Sequence, residues 1–164
     1  MMKTTVLASA LLLALGSAEV MAQACPAGLT GAQLVTTLSG KYVCARRAPG
    51  NAAEDIWNEL HQGTTAAGGP IMDYKRGPTD PVDPSKVVGS YSISLTDNTV
   101  TYNYGDPCSP YTYTLSPTLQ VTPESPAFLF CQVSAGSGPG CARDTRVIAA
   151  LITASPNHAF CMAP

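Results

Sequence analysis

Residues 87–116 read VVGSYSISLTDNTVTYNYGDPCSPYTYTLS. Tyr91, Ile93 and Leu95 alternate with Ser90, Ser92 and Ser94; Val100, Tyr102 and Tyr104 alternate with Thr99, Thr101 and Asn103; Tyr111, Tyr113 and Leu115 alternate with Thr112, Thr114 and Ser116. Side chains on a strand point to opposite faces in turn, so each run carries one apolar, tyrosine-rich face and one hydroxyl face. Asp97-Asn98 and Gly105-Asp106-Pro107 separate the runs with residues that suit turns and interrupt a ladder. The stretch therefore predicts a three-stranded antiparallel meander, with its Ser/Thr face toward solvent.

Upstream, Thr30 suits the N-cap of a short helix in which Leu34 and Leu38 share a face, and Gly40 follows as a stop signal. Residues 41–46 read as a strand, and Ala48-Pro49-Gly50-Asn51 breaks it. Residues 51–63 support two readings. Asn51 and Glu54 resemble a capping box, with Ile56 and Leu60 on one helical face, and the balance leans to helix. As a strand the same segment puts Trp57, Glu59 and His61 on one face. Residues 64–70 are small and flexible in composition, residues 71–75 suit a short strand, and the prolines of residues 77–84 predict a stiff extended surface loop. Downstream, residues 127–133 form a nearly continuous apolar run that suits a strand buried on both faces. Residues 134–140 form a loop and residues 146–152 a last strand. The sum is a mainly β domain, a small antiparallel barrel or curled sheet of about six to eight strands, with a short N-terminal helix.

The beginning of the chain has an early Lys3, an apolar run over residues 6–15 and the triplet Ala22-Gln23-Ala24. These describe a secretory signal peptide over residues 1–24 and one domain over residues 25–164. The run is shorter than the about 20 residues a transmembrane helix needs. Removing Lys3 and Glu19 with the leader leaves the net charge at −2, which offers no footprint for nucleic acid. All six cysteines, Cys25, Cys44, Cys108, Cys131, Cys141 and Cys161, fall in the domain. In an exported chain, periplasmic or extracellular, an even set predicts three disulfides, and Cys25 with Cys44 is the expected first pairing. No spacing is C-x-x-C, so neither a zinc knuckle nor a redox pair is suggested.

Catalytic motifs are scarce. Ser137 lies in a glycine-rich loop that fails the G-x-S-x-G pattern because Ala135 stands at the first glycine position. No phosphate-binding glycine motif occurs, and no cofactor or metal is expected. The tyrosines are more informative. Tyr91, Tyr102, Tyr104, Tyr111 and Tyr113 read first as cross-strand core, and second as the lining of a binding site together with Trp57. Three functions follow in order of preference: an exported non-enzymatic module binding a small ligand or a partner protein; a small secreted hydrolase using Glu59, His61, Asp73 and Asp83 as acid and base; and a structural envelope or surface protein with no pocket and an exposed strand edge.

Overall fold

A computed structural model describes residues 26–47, 56–63, 67–73, 86–119, 127–142 and 148–154. They form one helix, α1 (Gly31–Leu38), and eight strands: β1 (Tyr42–Arg47), β2 (Ile56–His61), β3 (Gly68–Asp73), β4 (Val87–Ser94), β5 (Thr99–Asn103), β6 (Tyr111–Pro117), β7 (Phe128–Ser134) and β8 (Ile148–Thr153). Each strand pairs antiparallel with the next, and β8 returns to β1, closing an eight-stranded barrel. The closing ladder sets Val43 opposite Ile152 and Ala45 opposite Ala150. Closure leaves none of the eight strands with a free edge, unlike the exposed edge expected of a structural surface protein.

The meander is β4, β5 and β6. Tyr91 faces Tyr102 and Ile93 faces Val100 across β4 and β5, and all four side chains are buried, as is Leu115 on β6. On the other face Thr101 and Thr112 hydroxyls hydrogen-bond at 3.0 Å. Leu95 departs from the alternation: β4 ends at Ser94, and Leu95 sits 60% exposed in the turn before β5. Ser94 Oγ holds that turn by donating to Asp97 Oδ2 and accepting from the Asp97 N–H.

The helical reading of residues 51–63 is corrected at its second half: Ile56–His61 is β2. The i, i+4 pair Ile56 and Leu60 loses to the ladder. Leu60 is paired with Tyr42 on one side and Met72 on the other, and Glu59 with Val43 and Asp73, so the end of the strand gains partners on both neighbouring strands. Asn51 and Glu54 lie outside the described residues. β3 likewise begins earlier than expected, at Gly68, and runs through Gly69 and Pro70. Gly69 permits this because a Cβ there would overlap the Gln62 carbonyl oxygen, which comes close as the Gln62 N–H donates to Pro70 O.

Helix α1 starts as its sequence implies. The Thr30 side chain accepts from the Gln33 N–H at 3.3 Å, and Gln33 Oε1 accepts from the Thr30 N–H at 2.8 Å. Leu34 and Leu38, both 0% exposed, fill one end of the barrel and join its core with Ile93, Val100 and Leu115. The Gly31 N–H donates to Asn98 Oδ1 at 2.7 Å, and a Cβ on Gly31 would stand 2.5 Å from Leu95 Cα. Gly31→Ala is therefore expected to destabilise by about 1–3 kcal/mol through overpacking, against the about 1 kcal/mol that helix propensity favours. Urea unfolding of the two proteins measures it; a gain in stability would show that α1 does not sit tightly on the β4–β5 turn.

Cys108 and Cys141 form a disulfide between the β5–β6 and β7–β8 connections. Cys44 and Cys131 are also disulfide-bonded, and no described cysteine is free. Cys25 and Cys161 lie outside the described residues, and with them the expected Cys25 to Cys44 pairing. Among the described residues no helix is long and apolar enough to cross a membrane.

Candidate functional site

Period two aims alternate side chains of every strand into the barrel, and an eight-stranded barrel has an interior just wide enough to be filled or to hold one small ligand. The half nearest α1 is filled. In the other half the inward side chains line a cavity of about 450 Å3. Strand β1 contributes Val43 and Ala45, β2 contributes Glu59 and His61, β3 contributes Asp73 at its end, and Phe130 and Ile148 come from β7 and β8. Tyr102, Tyr104, Tyr111 and Tyr113, with Val88 and Asp106, complete the wall.

The aromatic rings touch in a continuous group. Tyr102 stacks on Tyr104 with ring centres 6.2 Å apart and meets Tyr113 and Phe130 edge-on. Tyr104 lies 6.4 Å from Tyr111. Tyr91 belongs to a different level: it packs edge-on against His61 at 4.8 Å, and its hydroxyl donates to Ser39 Oγ beside α1. Of the five meander tyrosines, four line the cavity and Tyr91 is core.

Glu59 and Asp73 are register partners across β2 and β3. The Tyr104 hydroxyl donates to Glu59 Oε2 at 3.0 Å. Burial pushes the Glu59 carboxyl up to about 7; the Tyr104 hydrogen bond pulls the other way, and the neighbouring charge of Asp73 adds to the rise. His61 is 0% exposed, and its Nε2 is 3.1 Å from the Tyr102 hydroxyl. Burial lowers the imidazole to about 3, opposed by the Glu59 backbone carbonyl. That carbonyl does not reach hydrogen-bond geometry with His61 Nδ1, which has no partner. Burial and then the charge of Glu59 raise Tyr102 and Tyr104 well above the ordinary phenol range, so both stay protonated.

Asp106 lines the same cavity. Burial would raise it, but donors outweigh burial and hold it below the usual carboxylate range: the Tyr111 hydroxyl at 2.7 Å, the Ser109 hydroxyl at 2.9 Å and the Cys108 N–H at 2.8 Å. The wall thus holds three carboxyls, a neutral imidazole and protonated phenols, with no lysine or arginine among its described residues. Glu59 is the group able to hold or release a proton near neutrality. A neutral buried His61 serves as a dipole and hydrogen-bonding group rather than a charge.

Glu59, His61 and Asp73, taken from the sequence as an acid and base set, meet in this one cavity. Asp83 lies outside the described residues. Trp57 occupies β2 two positions before Glu59, and its side chain lies outside the described residues. Among the described residues no three His, Cys, Asp or Glu side chains converge on a metal position. Asp106 and Phe130 were not singled out from the sequence. Asp106 reads as a turn former in Gly-Asp-Pro, and Phe130 stands in an apolar run whose two faces look alike. The signal for Asp106 was the nearby Cys108, since a bridged turn is a fixed one. Comparison with known protein families, curated proteins and solved structures finds no match to this chain.

Proposed function

We propose that this is an exported, non-enzymatic protein that binds a small ligand in the tyrosine-lined half of its barrel. The observation that carries the reading is the cavity of about 450 Å3, a volume within the range of small-molecule sites, where apolar walls surround a few converging polar groups. Leu34 and Leu38 block the α1 end, so a ligand reaches the cavity from the end bearing Asp106 and Tyr111. Export is supported by the leader-like residues 1–24 and by the Cys108–Cys141 disulfide, a bond that persists in oxidising compartments.

The test is uptake of a small neutral fluorophore, N-phenyl-1-naphthylamine, into the full protein. Saturable fluorescence enhancement is expected, and Val88→Trp, which fills the half-buried wall position of Val88, is expected to weaken it by roughly ten-fold or more with little change in Tm. Unsaturable uptake, or uptake indifferent to Val88→Trp, would place the dye elsewhere and remove the support.

The raised carboxyl of Glu59 beside Asp73 supports a second reading, a hydrolytic acid and base pair. A hydrolase consumes what it binds. Recovery of a bound ligand unchanged after prolonged incubation separates the two.

A further inference from the structure

We propose that the ligand is a small organic cation, a molecule with a protonated amine on a compact apolar body, whose ammonium group is held by Glu59 and Asp73 among the cavity tyrosines. The inference rests on the reading of the barrel interior as a binding site, and it names the chemistry of the occupant.

Three independent features converge. Glu59 and Asp73 face one another in register, which places their Cβ atoms roughly 5 Å apart, so one ammonium group reaches both. Neither carboxylate has a cationic partner among the described residues. Among the described residues Glu59 accepts only from Tyr104, at Oε2, and its Oε1 has no hydrogen bond, although the residue lines the cavity and is just 8% exposed. Among the described residues the Asp73 side chain has no hydrogen-bond partner. Ionising a buried carboxyl without a counter-charge is costly, as the raised Glu59 shows, and the described wall supplies no cation, so a cationic guest satisfies what the fold leaves open.

The third feature is the aromatic wall. Tyr102, Tyr104, Tyr111 and Tyr113 line the cavity beside the acidic pair, and tyrosine rings attract cations through their quadrupole while covering the apolar part of a guest. An anionic ligand meets three carboxyls and no positive wall residue. Above about pH 7, where Glu59 ionises, a neutral ligand leaves the charge of the Glu59 and Asp73 pair unanswered. The cavity volume limits the guest to a compact molecule.

Proton balance gives the proposal a second readout. Glu59 keeps its proton up to about pH 7 in the empty protein, because burial disfavours its charge and Asp73 faces it, which together outweigh the opposing Tyr104 hydrogen bond; burial leaves His61 without a charge there and keeps Tyr102 and Tyr104 protonated. An ammonium group seated on Glu59 favours the carboxylate, so binding near pH 6 displaces one proton from Glu59 to solvent, and binding above about pH 8 displaces none. Asp106, already held as carboxylate by its donors, releases nothing.

The experiment titrates the full protein calorimetrically with three probes of one shape: 2-phenylethylamine, 2-phenylethanol and 3-phenylpropanoate. At about pH 8 and low salt the amine is expected to bind roughly ten-fold or more tighter than the alcohol, and the carboxylate more weakly than either. Glu59→Gln and Asp73→Asn are each expected to erase most of that preference while still taking up the alcohol and the neutral fluorophore. Near pH 6 the amine's heat is expected to vary with the ionisation enthalpy of the buffer. Equal binding of amine and alcohol, or an amine preference that survives both substitutions, overturns the cation inference and leaves the cavity a binding site. Failure of all three probes together with the fluorophore overturns both.

Discussion

The Glu59→Gln variant is expected to keep gaining stability from pH 4.5 to pH 6.5 while the wild-type protein stays level across that interval. Two cavity groups titrate in opposite senses. Glu59 rises from 4.5 to about 7 on folding, so between those values the folded protein holds a proton that the unfolded chain has lost. Its contribution to stability is fully present below 4.5 and disappears as pH rises through 7. His61 falls from 6.5 to about 3, so the unfolded chain holds the extra proton. Its contribution is fully present above 6.5 and is lost as pH falls toward 3. Where the windows overlap, each slope is about 1.4 kcal/mol per pH unit and the two cancel. Removing the Glu59 proton leaves the His61 slope alone, a climb of about 3 kcal/mol over the interval. Urea unfolding of both proteins at several pH values measures the difference, and any background from carboxyls such as Asp106 is common to both. Parallel profiles would show that Glu59 is solvated and ionised in the folded protein.

That titrating pair also shows what the sequence made legible. The strand alternative for residues 51–63 put Glu59 and His61 on one face, but the sequence leaned to helix because Ile56 and Leu60 match helical spacing as well as strand spacing. The decision is tertiary: Glu59 is ladder partner to Val43 on one side and Asp73 on the other, contacts that local propensity does not contain. The meander was legible because its alternation is long and its turns are marked. Helix α1 was legible because capping is local, between Thr30 and Gln33. Closure of β8 on β1 joins residues more than one hundred positions apart and leaves no mark in any short window. The site follows the same division. A tyrosine face was readable, but whether a tyrosine lines a cavity or fills the core depends on its height along the barrel. Tyr91 and Tyr102 are directly paired and share a face, yet Tyr91 reaches toward α1 and Tyr102 borders the cavity.

Replacing Cys108 and Cys141 together by serine is expected to cost about 3–4 kcal/mol of stability and to weaken ligand binding at the same time. The first effect follows from chain entropy: the bridge spans 33 positions, and opening it returns that freedom to the unfolded chain. The second follows from what the bridge holds. The Gly136 N–H donates to the Cys108 carbonyl at 2.8 Å, and a Cβ on Gly136 would stand 2.5 Å from the Ser109 carbonyl oxygen, so the two connections meet backbone to backbone. On the β5–β6 side the Cys108 N–H donates to Asp106 Oδ1, the same oxygen that accepts from the Tyr111 hydroxyl. The disulfide therefore fixes the turn that fixes a cavity tyrosine. Cys44 and Cys131 keep their bonds in this variant, so it remains oxidised elsewhere. Urea unfolding measures the stability term and fluorophore titration measures the binding term. Stability lost with affinity intact would mean that Asp106 and Tyr111 are held by their own hydrogen bonds; a stability loss below about 1 kcal/mol would mean that the close backbone contacts at Gly136, rather than the bridge, hold the two connections together.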